Sequence, residues 1–242
     1  MREIDVPKER TGEEKYICEN ANFAAKEAYS RLCSNIQFSF ASGEKNHVLG
    51  VTSAQPSDGK STTAVNLAYS LAQLDFSVVL IDCDMRRPSV SSKLGMASAP
   101  GLADLLTGEN NISAVLNTYL PSDDTQGFDV IVSGTIPPNA LRLLNSERMQ
   151  HLLTGLSERY DYVILDLPPV MAVADAQTLS GLIDGMILVV REKFCPKKML
   201  QESIRQLNLA GCNLLGFVLN GSEIGTDKKY SYYSSGYSSY YR

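Results

Sequence analysis

A chain of 242 residues, 44% of them apolar, is long enough for one sizeable α/β core with flanking segments, and its net charge of −5 argues against a nucleic-acid partner. No apolar run approaches the roughly 18 residues of a membrane-spanning helix, and Met1-Arg2-Glu3-Ile4-Asp5 is no signal peptide. The five cysteines are scattered without a Cys-x-x-Cys pair or clustered histidines, which indicates neither a disulfide framework nor a zinc site. A soluble cytoplasmic protein fits these features. His47 and His151 read as surface or packing residues.

The predicted elements alternate in type. After an extended N-terminal segment (1–20), a helix over 22–40 precedes a strand at 48–52 and a helix over 61–74. A strand at 77–82 leads to shorter helices between 90 and 118, then a strand at 128–133 and a helix over 140–158. Strands at 161–166, 185–191 and 213–219 follow, separated by helices over 172–182 and 196–210. This alternation predicts one α/β domain over 21–220 with a mostly parallel central sheet flanked by helices.

The first strand runs into Ser53-Ala54-Gln55-Pro56-Ser57-Asp58-Gly59-Lys60-Ser61-Thr62-Thr63 and then into an apolar-periodic segment. That is strand, phosphate loop and helix, the layout of a P-loop nucleoside-triphosphate site. Backbone N–H groups from Ser57, Asp58, Gly59 and Thr62, with the helix N-terminus behind them, offer positive potential to phosphates. Lys60 reaches the β- and γ-phosphates, and the Ser61 hydroxyl suits Mg²⁺. One departure stands out: the pattern wants a glycine at Ala54. A polar turn before a helix is the alternative, and Gly-Lys-Ser-Thr in this context disfavours it.

The second strand ends in Asp82-Cys83-Asp84-Met85-Arg86-Arg87-Pro88, and the one at 161–166 ends in Asp166-Leu167-Pro168-Pro169. Parallel sheets place ligands at the carboxyl ends of their strands, so Asp82, Asp84 and Asp166 should gather beside the phosphate loop. Asp166 reads as the Walker B acid, which holds Mg²⁺ through water. A lone strand-end aspartate is often a helix cap or a solvated turn; three beside one loop favour chemistry. Cys83 reads as a small buried filler. Arg86 and Arg87 either pair with phosphate or anchor the turn on neighbouring carboxylates.

From Gly221 onward apolar periodicity stops. Half of the 12 tyrosines, Tyr230, Tyr232, Tyr233, Tyr237, Tyr240 and Tyr241, lie in a Ser/Gly-rich tail over 221–242 that is expected to be disordered. A sticky low-complexity tail or a base-stacking surface for single strands is the alternative, with too few basic residues to favour the latter.

Asp82 to Pro88 is similar to the Walker A′ motif of the bacterial tyrosine kinases, and the loop from Ser53 to Thr63 resembles theirs, including the absent first glycine. Gly134-Thr135-Ile136-Pro137-Pro138-Asn139 also looks like a loop of that family, with Ala140 where a proline is common. The resemblance is to the soluble kinases of Gram-positive capsule and exopolysaccharide operons. It implies ATP and Mg²⁺, with Lys60 on the phosphates, Ser61, Asp82 and Asp166 around the metal, Asp82 as base and Asp84 ordering the metal or the acceptor. It implies that the six tail tyrosines are phosphoacceptors, modified between associated subunits. It further implies an activating cytoplasmic segment of a membrane protein that recruits the kinase to the inner face of the membrane. A phosphotyrosine phosphatase and sugar-nucleotide enzymes as substrates complete the implied partners. The nearest rival is a partitioning or Mrp-like ATPase acting as a nucleotide-dependent switch, but such proteins carry a signature lysine where this chain has Gln55.

Two expectations concern assembly. The family's Glu-x-x-Arg-x-x-Arg helix motif appears here as Glu27, Ser30 and Cys33, so the ring contact should be weak, with Phe23, Ile36 and Phe40 left to hold subunits together by apolar packing. A phosphorylated tail, gaining roughly −1.5 to −2 per phosphate, should be repelled from a site lined with Asp82, Asp84 and Asp166.

Overall fold

The computed structural model describes residues 21, 23–40, 46–121, 126–173 and 178–221. The expected N-terminal segment and the tyrosine tail lie outside the described residues. Seven strands form one sheet: β1 (His47–Ser53), β2 (Val78–Asp82), β3 (Leu116–Tyr119), β4 (Phe128–Ile131), β5 (Tyr162–Asp166), β6 (Gly185–Arg191) and β7 (Leu214–Asn220). Their order is β3-β4-β2-β5-β1-β6-β7, and every pairing is parallel except β3 with β4.

Alternation along the strands sorts the core into two layers. Val79, Ile81, Val163, Leu165 and Leu188 face one way. There they meet α4 (Leu102–Thr107), α6 (Ala140–Leu144) and α7 (Glu147–Ser157). Leu49, Val51, Leu80, Ile164 and Val189 face the other way, against α1 (Phe23–Ser39), α2 (Lys60–Ala72) and α3 (Val90–Leu94). Because β1, β2 and β5 are covered on both faces, every residue in them is buried. This is why they read as unbroken apolar runs rather than as alternating ones. The other α-helices among the described residues are α5 (Ile112–Val115) and α8 (Lys197–Leu209).

Three expected elements differ. The helix expected over 140–158 is two helices, because Asn139 and Ser146 each supply an N-cap: Asn139 Oδ1 accepts from the Arg142 N–H and Ser146 Oγ from the Met149 N–H. β3 occupies part of the stretch expected to hold only short helices. It is a half-exposed antiparallel edge, held by the Thr118 hydroxyl donating to Asp129 at 2.6 Å and by a Tyr119–Phe128 ring contact. Of the helix expected over 172–182, the described part shows a short 3₁₀ turn at Ser180–Leu182.

Helix α1 corrects the assembly expectation. Ile36 and Cys33 are buried against α2, and Phe40 stacks on His47 with ring centroids 3.8 Å apart. Of the three residues expected to join subunits, only Phe23 is exposed, at 78%. The two positions that replace the family arginines are equally unlike: Ser30 is exposed and Cys33 is fully buried.

Arginine should therefore be tolerated at one position and not at the other. Cys33→Arg places an unpaired cation in an apolar layer and is expected to lower unfolding stability by at least about 3 kcal/mol in urea titration, whereas Ser30→Arg stays within about 0.5 kcal/mol.

Candidate active site

The phosphate loop is shaped by two left-handed residues, Ser57 (φ 69°) and Gly59 (φ 97°), immediately before α2 starts at Lys60. Ala54, where the sequence pattern asks for glycine, is buried and does not have positive φ, so a Cβ is accommodated there. The backbone needs its glycine at position 59. The first-turn N–H groups of α2 thus open toward the cleft, as an anion site requires.

Behind the loop lies a set of contacts that the sequence reading did not single out. Asp58 is fully buried; its carboxylate accepts from the Gln55 backbone (3.4 Å) and side chain (3.3 Å), and burial raises its pKa. It therefore shapes the loop from within, while Ser57, Gly59, Lys60, Ser61 and Thr62 line the cleft. Gln55 also donates to the Phe194 carbonyl at 3.2 Å. Asn220, at the end of β7, donates its side-chain amide to the Asp58 carbonyl at 2.9 Å, and Arg191, at the end of β6, reaches the Ser57 carbonyl at 3.4 Å. Polar residues closing two strands at the ligand edge were the available signal for both.

Lys60 bridges the carboxylates. Its Nζ lies 2.9 Å from Asp84 Oδ2, 3.1 Å from Asp166 Oδ1 and 3.1 Å from the Ser61 hydroxyl. Asp82 sits beside them, fully buried, and is used as a cap. Its Oδ1 accepts from the Asp84 N–H, and its Oδ2 accepts from the Ser89 and Val90 N–H groups at the start of α3, all at 3.1 Å. Asp84 Oδ1 in turn accepts the Arg87 N–H at 3.1 Å. The three expected carboxylates do gather, and Asp82 also takes the helix-capping role that a strand-end aspartate often has.

Three carboxylates thus share one ammonium. Burial disfavours the Lys60 charge, yet Asp166 and Asp84 outweigh it and hold its pKa above the ordinary lysine value. Burial, then the charge of Asp166, pushes Asp82 up to about 7. Burial also raises Asp166, even with Lys60 beside it. Burial is the leading cause at both acids, and three carboxylates beside one ammonium leave negative charge in surplus. Asp166 Oδ2 is buried without a hydrogen-bond partner.

That orphaned oxygen, the surplus charge and the adjacent Ser61 hydroxyl fit a divalent cation. Among the described residues no three carboxylate, His or Cys groups are arranged to hold a metal ion by themselves. Mg²⁺ does not need them, since it keeps several waters and takes the rest from one or two carboxylates and phosphate.

The cleft has a volume of about 470 Å³, within the range of ligand sites. The turn after β2 contributes Asp84, Arg86 and Arg87, α3 contributes Lys93, and the segment after β5 contributes Pro168 and Pro169. Four cationic side chains and one carboxylate line it, the carboxylate being Asp84 on Lys60. The expectation of an anionic lining is therefore not met: Asp82 and Asp166 stand behind the surface with no exposure. Both arginine side chains are exposed along the cleft. Cys83 is fully buried, as a filler should be, and His151 is exposed. The six tail tyrosines lie outside the described residues; the last described residue, Gly221, follows the Asn220 that touches the phosphate loop.

Comparison with known proteins agrees with this geometry. Residues 48–209 match the family model described as an AAA domain. The tyrosine-protein kinase YwqD of Bacillus subtilis is 35% identical over 209 residues, covering 86% of each chain. The tyrosine-protein kinase CpsD of Streptococcus pneumoniae serotype 4 is 36% identical over 208 residues, 84% of this chain and 87% of that one. The structure of the kinase domain of Escherichia coli ETK superposes with a TM-score of 0.81 at 32% identity, covering 90% of this chain and 84% of that one. The whole Escherichia coli protein is longer, and this chain spans 29% of its length.

The loop geometry makes Gly59 irreplaceable. A Cβ there would overlap the Asn220 side-chain amide and would sit on a left-handed residue. Gly59→Ala is expected to cost at least about 1–2 kcal/mol of stability and to weaken ADP binding at least about tenfold by calorimetry. Truncating Asn220 to Ala in the same chain should recover part of the stability. Gly181→Ala, where an added Cβ meets nothing within 4 Å, should change neither quantity.

Proposed function

Because the chain belongs to the bacterial tyrosine-protein kinase family, we propose that it transfers the γ-phosphate of ATP to the hydroxyls of its own tail tyrosines, Tyr230, Tyr232, Tyr233, Tyr237, Tyr240 and Tyr241. The observation that carries this reading is the place where the tail begins. β7 ends at Asn220, hydrogen-bonded to the phosphate loop, and the tyrosine-bearing segment follows directly. A tail of some 20 residues reaches about 25 Å in root-mean-square terms. Distance therefore permits transfer within one subunit as well as into a neighbour's cleft, and the family resemblance favours the neighbour.

The chain's own residues divide the work as follows. The loop N–H groups and Lys60 bind and neutralise the triphosphate, so Lys60 exchanges its hold on Asp84 and Asp166 for phosphate oxygens. Ser61 and Asp166, with Asp82 behind, would hold Mg²⁺, which when bound supplies further charge neutralisation between the phosphates. The tyrosine oxygen forms a bond to γ-phosphorus as the bond to the β–γ bridging oxygen breaks, and ADP leaves. A phenol with a pKa near 10 must lose its proton in that step. Asp82 is the proposed acceptor, since a carboxylate with a pKa raised to about 7 suits a general base at neutral pH. A second reading has a specific observation behind it: Asp84, not Asp82, lines the cleft, and departure of Lys60 would free it.

The same family membership supports a role in capsular or exopolysaccharide synthesis. It also supports recruitment from the cytoplasm to the inner membrane face by a membrane activator and reversal by a phosphotyrosine phosphatase. No helix among the described residues is long and apolar enough to cross a membrane.

Incubation with ATP and Mg²⁺ should raise the intact mass in steps of one phosphate, all mapping to 228–242. A nucleotide switch would release ADP with no gain in mass. Asp82→Asn should lower transfer by about 10²–10⁴-fold with ADP affinity largely kept, and Asp84→Asn by much less. The reverse order assigns the proton to Asp84.

A further inference from the structure

Four cationic side chains line the cleft: Lys60 at the phosphate loop, and Arg86, Arg87 and Lys93 on the turn after β2 and on α3. Their backbone is held as one piece by buried carboxylates. Asp84 takes the Arg87 N–H, while Asp82 takes the Asp84, Ser89 and Val90 N–H groups, which ties the turn bearing the arginines to the helix bearing Lys93. The substrate side supplies a matching change. From Lys228 to Arg242 the tail contains no acidic residue, so the unmodified tail brings no anionic side chain to these cations. The first transfer creates a group of roughly −1.5 to −2 charge with three acceptor oxygens. Tyr232-Tyr233 and Tyr240-Tyr241 are adjacent, and Tyr230 lies two residues before Tyr232. A new phosphate is then within about 3.5–7 Å of extended chain from the next acceptor.

We propose that Arg86, Arg87 and Lys93 form a phosphotyrosine subsite that holds a tail already modified once while a neighbouring tyrosine enters the phosphate loop. Tail phosphorylation is then successive within one engagement rather than a series of independent encounters. Arginine suits this role because its planar fork takes two phosphate oxygens at once. The proposal rests on the kinase reading for the origin of the phosphotyrosine, but the subsite itself is a matter of binding.

The test uses the dephosphorylated full chain with ADP and Mg²⁺, titrated into a labelled 228–242 peptide, either unmodified or phosphorylated at Tyr233. The phosphopeptide should bind at least about tenfold more tightly, the worth of one charge-assisted hydrogen bond. The triple variant R86Q/R87Q/K93Q should erase the difference, and Arg86→Lys with Arg87→Lys should keep part of it, which separates loss of the fork from loss of fold. Free inorganic phosphate should compete only weakly, since it lacks the flanking chain; equal potency would assign the subsite to any phosphate ion and overturn the proposal. Equal binding of the two peptides, or a preference that survives the triple variant, would also overturn it. In parallel, intact masses during incubation with ATP should show unmodified and multiply modified chains with little singly modified species. Transfer without phosphopeptide preference refutes the subsite alone, and preference without transfer refutes the kinase reading alone.

Discussion

The Lys60 ammonium sits between two buried carboxylates, Asp84 at 2.9 Å and Asp166 at 3.1 Å, at the first residue of α2. Much of the site depends on that arrangement. Without the ammonium, Asp82, Asp84 and Asp166 would face one another in a medium where like charges repel far more strongly than in water. With it, negative charge is still in surplus: burial above all, and at Asp82 the charge of Asp166, raises the proton affinity of Asp82 and Asp166, and Asp166 keeps an unsatisfied oxygen. A triphosphate that takes Lys60 away must bring positive charge with it, so nucleotide and divalent cation are expected to arrive together. The phosphate site and its metal are in this sense one electrostatic balance.

The other constraint is mechanical. The loop is held from behind by Asn220 and Arg191, the last residues of β7 and β6, and by Gln55 reaching the Phe194 carbonyl. Gln55 occupies the position where the switch-type ATPases carry their signature lysine, and here its amide is bonded to Asp58 and to the Phe194 carbonyl. The root of the tail and the floor of the phosphate loop are one hydrogen bond apart.

Much of this was legible in the residues. Doubly covered strands announce themselves as Val78-Val79-Leu80-Ile81 and Tyr162-Val163-Ile164-Leu165, and Gly59-Lys60-Ser61-Thr62 between a strand and a helix has few other meanings. The three aspartates were found because parallel strands deliver their carboxyl ends to one edge. What escaped depended on tertiary context. Asn145 and Ser146 interrupt a run with helical periodicity, because Ser146 can cap a new helix, and periodicity alone does not register a cap. Leu116 to Tyr119 is too short and half-exposed to show a period. Asp82 was visible as a site residue, but its bonds to Ser89 and Val90 span a turn whose path no motif prescribes. The burial of Ile36 and Cys33 likewise follows from where α1 lands on α2, which spacing along one helix does not fix.

The charge balance around Lys60 is the claim most open to a direct measurement: unfolding free energy against pH for the nucleotide-free protein and for Lys60→Met. A buried acid whose folded pKa lies above its unfolded value stabilises the fold at low pH, and that contribution is lost as pH rises through the folded value. For Asp82 this window runs from the ordinary carboxylate value near 3.8 to about 7. Removing the ammonium takes away a charge that lowers both Asp82 and Asp166, so their proton affinity rises further and Lys60→Met should approach the parent protein's stability near pH 5. It should fall progressively below the parent toward pH 8, by up to the about 3–5 kcal/mol that a broken buried pair can cost. A deficit that stays the same across that range, or no deficit at pH 8, would contradict the account.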